Sequence, residues 1–117
     1  LVFDNRGSFK KGGFSRVIEI SPDDFSIQWA YETQQGQRPF HSKFFGTQQR
    51  LDNGNTLIVD AEIGRIIEVT KDKEIVWEYF IPQRKTIDGT QRTACITHAE
   101  RIPASKLRFD MNTQARQ

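Results

Sequence analysis

Two histidines and a handful of arginines are the side chains of this 117-residue sequence best equipped for chemistry. A histidine can move a proton or act as a nucleophile, and a guanidinium holds an anion through fixed, permanently charged donors. Arg6, Arg16, Arg50 and Arg101 are the cations that would serve. His41 lies in the aromatic run 40–46 (FHSKFFG), where it is either an acid–base or ligand group or, as is commoner beside aromatics, a hydrogen-bonded packing residue. His98 stands three residues before Arg101 in the run 93–102 (TACITHAERI). The loop 5–14 (NRGSFKKGGF) carries Arg6, Lys10 and Lys11 with no acid. Its backbone amides and cations suit sulfate or phosphate, and its bland reading is a flexible hairpin loop.

Other chemistry is poorly represented. The sequence contains no HExxH, no CxxC, no glycine-rich phosphate loop running into Lys-Ser/Thr and no calcium-loop spacing, so no metal or cofactor is expected. Asp4, Asp60 and Asp110 end similar apolar runs, and aspartates there more often cap a turn or bond a neighbouring amide than bind metal.

The elements that must position these residues are strands. In the stretch 49–80, three short apolar runs are separated by two turn signals, which predicts an antiparallel meander. Asp52-Asn53-Gly54-Asn55 suits a tight primed turn, and 70–74 is a second, polar turn. The unit recurs: Arg16-Val17-Ile18-Glu19-Ile20 and Trp29-Ala30-Tyr31 match Arg65-Ile66-Ile67-Glu68-Val69 and Trp77-Glu78-Tyr79, with the arginines 49 positions apart and the tryptophans 48. Leu107-Arg108-Phe109-Asp110 resembles Leu57-Ile58-Val59-Asp60 and Leu1-Val2-Phe3-Asp4. A four-stranded unit recurring every 50 residues or so is a propeller-blade period.

The expected fold is therefore all-β: a partial blade over 1–32, a full blade over 40–80 and a partial blade over 93–110, with 33–39 and 81–90 as linkers. Phe40, Phe44 and Phe45 are expected to pack between blades, and Trp29 and Trp77 to be equivalent packing residues. Side chains three apart on a strand face opposite ways, so Arg16, Glu19, Arg65 and Glu68 should each pair across to a neighbouring strand. Two blades and a fragment cannot close a ring, so further blades are expected, from a longer chain or from other copies in a homo-oligomer. A start at Leu1 rather than methionine is expected of a cut or processed chain.

A net charge of +2 is too mild to indicate nucleic acid, and the aromatics are mostly spread over the expected strands rather than interleaved with the basic loop. The single cysteine, Cys95, excludes an internal disulfide. No run approaches the roughly 18 apolar residues that span a bilayer, and no secretory signal is visible, so no membrane partner is expected.

FDN (residues 3–5), SRVIEI (15–20) and WAYE (29–32), followed by QRLDNGNTLIVDA (49–61), GRIIEVT (64–70) and VWEY (76–79), resemble the arylsulfotransferase-like β-propeller family, with quinoprotein-type blades. The resemblance implies a secreted or periplasmic protein. It also implies sulfuryl transfer between phenols through a transiently sulfated histidine, aided by further histidines and an arginine at the channel mouth. The nucleophile's Trp-x-His-x-Asn setting is absent around both His41 and His98, and Gln49 stands where another channel histidine would be sought. Arg6, just past FDN, is the position that matches the family's sulfate-binding arginine.

No catalytic residue is thus expected in this stretch, and binding an anion is better supported than transforming one. The expected function is a non-catalytic binding or scaffold module for a small anionic or aryl ligand. The alternative is part of an aryl sulfotransferase whose nucleophile lies outside these residues.

Overall fold

Residues 1–9 and 11–108 are described by the computed structural model of the chain. Their backbone forms three antiparallel sheets and almost no helix. The first sheet holds β1 (Val2–Asp4), β2 (Arg16–Ile20) and β3 (Ile27–Tyr31) in that order. The second holds β4 (Thr47–Arg50), β5 (Thr56–Asp60), β6 (Arg65–Val69) and β7 (Ile75–Phe80). A separate hairpin joins β8 (Arg84–Ile87) to β9 (Thr90–Thr93).

The repeat read from the sequence is a repeat in space. Arg16 and Arg65 open the second and third strands of their sheets, each opposite an aspartate that closes the strand before: Asp4↔Arg16 and Asp60↔Arg65. Both β2 and β6 also carry an irregularity just after their glutamates, at Glu19/Ile20 and Glu68/Val69. Every residue of β5, which lies inside the second sheet between β4 and β6, is buried; β-branched residues fill such a strand well.

The core lies between the first two sheets. Phe3, Val17, Trp29 and Tyr31 project from one face of the first sheet onto Ile58, Ile67 and Val69 of the second, with Phe40 of the connecting segment beside them. Phe40 meets Phe3 edge to face, ring centroids 5.4 Å apart, and lies 6.0 Å from the Tyr31 ring. The Trp29 indole N–H donates to the Lys71 carbonyl at 2.7 Å, so its one polar atom is satisfied at the sheet end. The connector is tied in by Ser15, whose N–H donates to the Phe40 carbonyl and whose hydroxyl bonds the Ser42 backbone.

Several expectations need correction. The 52–55 turn is not primed: within it only Gly54 has positive φ (87°), its N–H donates to the Leu51 carbonyl, and Asn53 bonds the Asn55 amide. The stretch 81–90 is not a bare linker; Asp88 (φ 50°) and Gly89 (φ 74°) make the primed turn of the β8–β9 hairpin, where their positive φ matches strand twist. Residues 94–102 form no strand. Their backbone bonds the rim of the second sheet instead, Ile96 N–H to the Ala61 carbonyl and Arg101 N–H to the Gln49 side chain. Of the strand expected over 107–110, the last two residues lie outside the described part, as do Lys10 and the tail; Leu107 and Arg108 are not in a strand. Loop 5–14 contains a 3-10 turn, Arg6–Phe9. Phe40 is buried as expected, but Phe44 and Phe45 are exposed, Phe44 resting edge to face on Phe9. Trp77 is exposed where Trp29 is buried, because a sheet covers Trp29 and none covers Trp77.

Among the described residues, buried side-chain oxygens of Thr47, Thr56 and Asp60 lack a hydrogen-bond partner, and Asp60 is the ionisable one. The Asp60 carboxylate is fully buried with neither oxygen hydrogen-bonded. Its counterpart Asp4 holds the Arg16 Nε at 2.8 Å, whereas Arg65 turns from Asp60 to Glu78 at 2.5 Å. Burial pushes the Asp60 pKa up to about 7, against the pull of Arg65.

Two predictions follow from this packing. Phe40→Ala should cost about 3–5 kcal/mol in urea unfolding and Phe44→Ala less than about 1 kcal/mol; equal costs would mean the connector is not part of the core. Asp60 contributes no penalty below about pH 4, where folded and unfolded chains both hold its proton; as pH rises the unfolded chain releases it first, and stability falls until about pH 7. Asp60→Asn should therefore raise the melting temperature at pH 8 by several degrees and flatten the loss between pH 4 and 7; an unchanged pH profile would show that Asp60 is ionised in the fold.

Candidate functional site

Strand geometry sorts the expected site residues to two ends of the sheets. At one end, Asp4 takes Arg16 on one oxygen and the Arg6 backbone N–H on the other, and both contacts hold its carboxyl below the usual range, Arg16 foremost. Arg6 and Lys11 are exposed there, while Lys10 lies outside the described residues. Arg16 is thus engaged in a strand-to-strand pair, as expected.

At the opposite end the chain builds a cavity of about 450 Å³ between the second sheet and the segment 100–106. Gln49, Arg50 and Arg101, three of the expected site residues, line it together with Lys106, Asp52 and Glu100. Gln49 is fixed on both polar atoms: its Nε2 donates to the Arg101 carbonyl at 3.2 Å and its Oε1 accepts the Arg101 N–H at 2.8 Å. This pairing carries the segment past the sheet and places the Arg101 side chain.

Both arginines of the cavity are clamps. Arg50 at the end of β4 pairs with Glu19 of the first sheet, its guanidinium 5.0 Å from the Trp29 ring centroid. Arg101 pairs with Glu68 of the second sheet, 5.5 Å from the Trp77 ring centroid. Glu68 is nearly buried and accepts from Asn55 (2.7 Å) and Asn53 (3.2 Å) as well; Asn55 first, then Arg101 and Asn53, hold its carboxyl below the usual range against the contrary pull of burial. Lys106 has no ion pair among the described residues, so it is the cavity's free cation there. The cavity thus presents three cations, two of them paired with Glu19 and Glu68, in a space that Asp52 and Glu100 also line.

Neither histidine reaches the cavity. His41 is half-buried in the connector before β4, and His98 is exposed in the segment after β9. Glu19 and Glu68, expected to pair across to neighbouring strands, are instead the clamp partners, and nothing in the sequence singles out Lys106. A signal was nevertheless present: Arg50 and Arg101 are 51 positions apart, close to the spacing of the glutamates (49) and tryptophans (48) that they bridge.

Arg101→Met should release the segment from the sheet. Hydrogen exchange at the 99–102 amides should then quicken while β5 and β6 stay protected; unchanged exchange would show that Gln49 alone holds the segment.

Comparison with known proteins adds one result. No curated protein and no solved structure matches the chain. The family model described as Arylsulfotransferase (ASST) matches residues 1–82, which takes in both sheets of the repeat and stops before β8. With most of its length and both copies of its repeating unit matched, the chain belongs to the arylsulfotransferase (ASST) family.

Proposed function

We propose that this chain is a non-catalytic binding or scaffold segment of an arylsulfotransferase-type β-propeller, its two large sheets serving as blades, and that it holds a small anionic or aryl ligand in the cavity beside Arg50, Arg101 and Lys106. The observation that carries this reading is the convergence of Gln49, Arg50 and Arg101 on one cavity whose lining includes neither histidine. Cations and a fixed amide suit recognition of a sulfate group, while a group transfer needs a nucleophile within reach. The ring is completed by further blades, from other copies or from more chain, and family membership supports a periplasmic or extracellular setting.

Family membership also supports a second reading, in which the chain is part of an active sulfotransferase. There a histidine supplied from elsewhere attacks sulfur, the N–S bond forms, the S–O bond breaks and a phenolate leaves. An acceptor phenol then takes the sulfuryl group from nitrogen and gives up its proton.

Calorimetric titration with 4-nitrophenyl sulfate tests the first reading. It should bind, more weakly at higher salt, and Lys106→Ala should weaken it about fivefold or more, the loss of one charge-assisted contact; absence of heat or indifference to Lys106 overturns the site. Release of nitrophenolate on adding a phenol acceptor, abolished by His41→Ala or His98→Ala, would overturn the non-catalytic assignment.

A further inference from the structure

The cavity beside Arg50 and Arg101 is lined by charges of both signs, and the pairs they form leave an uneven remainder. Each guanidinium already meets a carboxylate from outside the lining, Glu19 for Arg50 and Glu68 for Arg101. The charged lining side chains that remain are one ammonium, Lys106, and two carboxylates, Asp52 and Glu100. None of these three is in an ion pair among the described residues, so they share one space without answering one another.

Each of the three stands on backbone that is held in place. Asp52 lies in the turn that the Gly54 N–H closes on the Leu51 carbonyl at 2.9 Å. Glu100 precedes Arg101, whose N–H and carbonyl are both bonded to the Gln49 side chain. Lys106 ends the short 3-10 turn Ala104–Lys106, where its N–H donates to the Pro103 carbonyl at 2.9 Å. The sheet, the clamped segment and the 3-10 turn thus contribute one charge each to the same cavity. Leu51, Ile102 and Pro103 add apolar surface to its lining.

We infer that the ligand of this cavity is a zwitterion, an aryl sulfate whose ring also bears an alkylammonium group. A ligand with a sulfate alone gains Lys106 and the guanidinium N–H groups that the glutamates leave unused, but it stands beside two carboxylates of its own sign. Adding an ammonium turns Asp52 and Glu100 from repelling groups into acceptors of charge-assisted hydrogen bonds, while Lys106 keeps the sulfate. The same carboxylates therefore select against the simple anion as well as for the zwitterion. An aromatic ring between the two charged groups suits Leu51, Ile102 and Pro103, and about 450 Å³ is within the range of roughly 300–1,000 Å³ usual for small-molecule sites. This inference rests on the sulfate-binding reading above and narrows its ligand class.

Calorimetric titration of the whole chain with two esters of matched shape tests it: para-(aminoethyl)phenyl sulfate, which carries the ammonium, and para-propylphenyl sulfate, which does not. The first should bind about tenfold more tightly, the size of one added charge-assisted hydrogen bond. Asp52→Asn and Glu100→Gln, both at exposed positions, should each narrow that preference and together erase it, with the circular dichroism of the wild type retained. Lys106→Ala should weaken both esters. Phenethylammonium, which lacks the sulfate, should bind more weakly than the zwitterion. Equal affinity for the two esters, or a preference that survives the double substitution, overturns the inference and leaves the sulfate-binding reading in place. Phenethylammonium binding as tightly as the zwitterion, or absence of heat from both esters, overturns that reading and the inference together.

Discussion

The burial of Trp29 and Tyr31 against Ile58 and Ile67 is the contact on which the rest of the structure depends. A three- or four-stranded antiparallel sheet has two faces and cannot bury either by itself, so stability comes from apposing one sheet to the next. Two aromatic side chains removed from water contribute several kilocalories per mole between them, more than any exposed ion pair on the molecule. The polar atoms at this contact are arranged to permit it. The indole N–H reaches a carbonyl at the sheet end, and the Arg50 guanidinium lies over the indole while its charge is met by Glu19. The arginine clamp is better understood as fixing register than as a source of stability, because both its partners remain partly in water.

The same contact explains the contrast between the two aspartates. Asp4 sits where solvent still reaches, and its pairing with Arg16 keeps it ionised. Asp60 occupies the equivalent strand position, but the neighbouring sheet closes over it while Arg65 is drawn to Glu78 and across the Phe80 ring. Identical positions in the repeat thus carry opposite electrostatics, and the difference arises wholly from what is packed on top. The tryptophans show it too: Trp29 is core, and Trp77, with the same tyrosine two residues on, is surface.

The ends of the strands divide the chemistry. Arg6 and Arg16 gather with Asp4 at one end, and Gln49, Arg50 and Arg101 gather at the other. Antiparallel pairing decides this, since a strand's last residue lies beside the first of the next. The cavity's guanidinium charges are already answered by Glu19 and Glu68, and Asp52 and Glu100 line the same space as Lys106.

Much of this was legible in the residues. The β-branched runs, the Arg-x-x-Glu and Trp-x-Tyr repeats and their common spacing specify antiparallel sheets of one kind, because strand formation and face alternation are local properties that a few residues decide. Local chemistry also placed the primed turn at Asp88-Gly89 within reach, although it was read as a linker for want of apolar runs beside it. The tertiary structure alone decided which copy of an equivalent residue is buried, that Asp60 loses its arginine, and that Arg101 crosses to Glu68 instead of entering a strand. Those outcomes depend on neighbours 13 to 42 positions away in the chain, and burial is a property of what lies opposite a residue, which its own sequence neighbourhood does not encode.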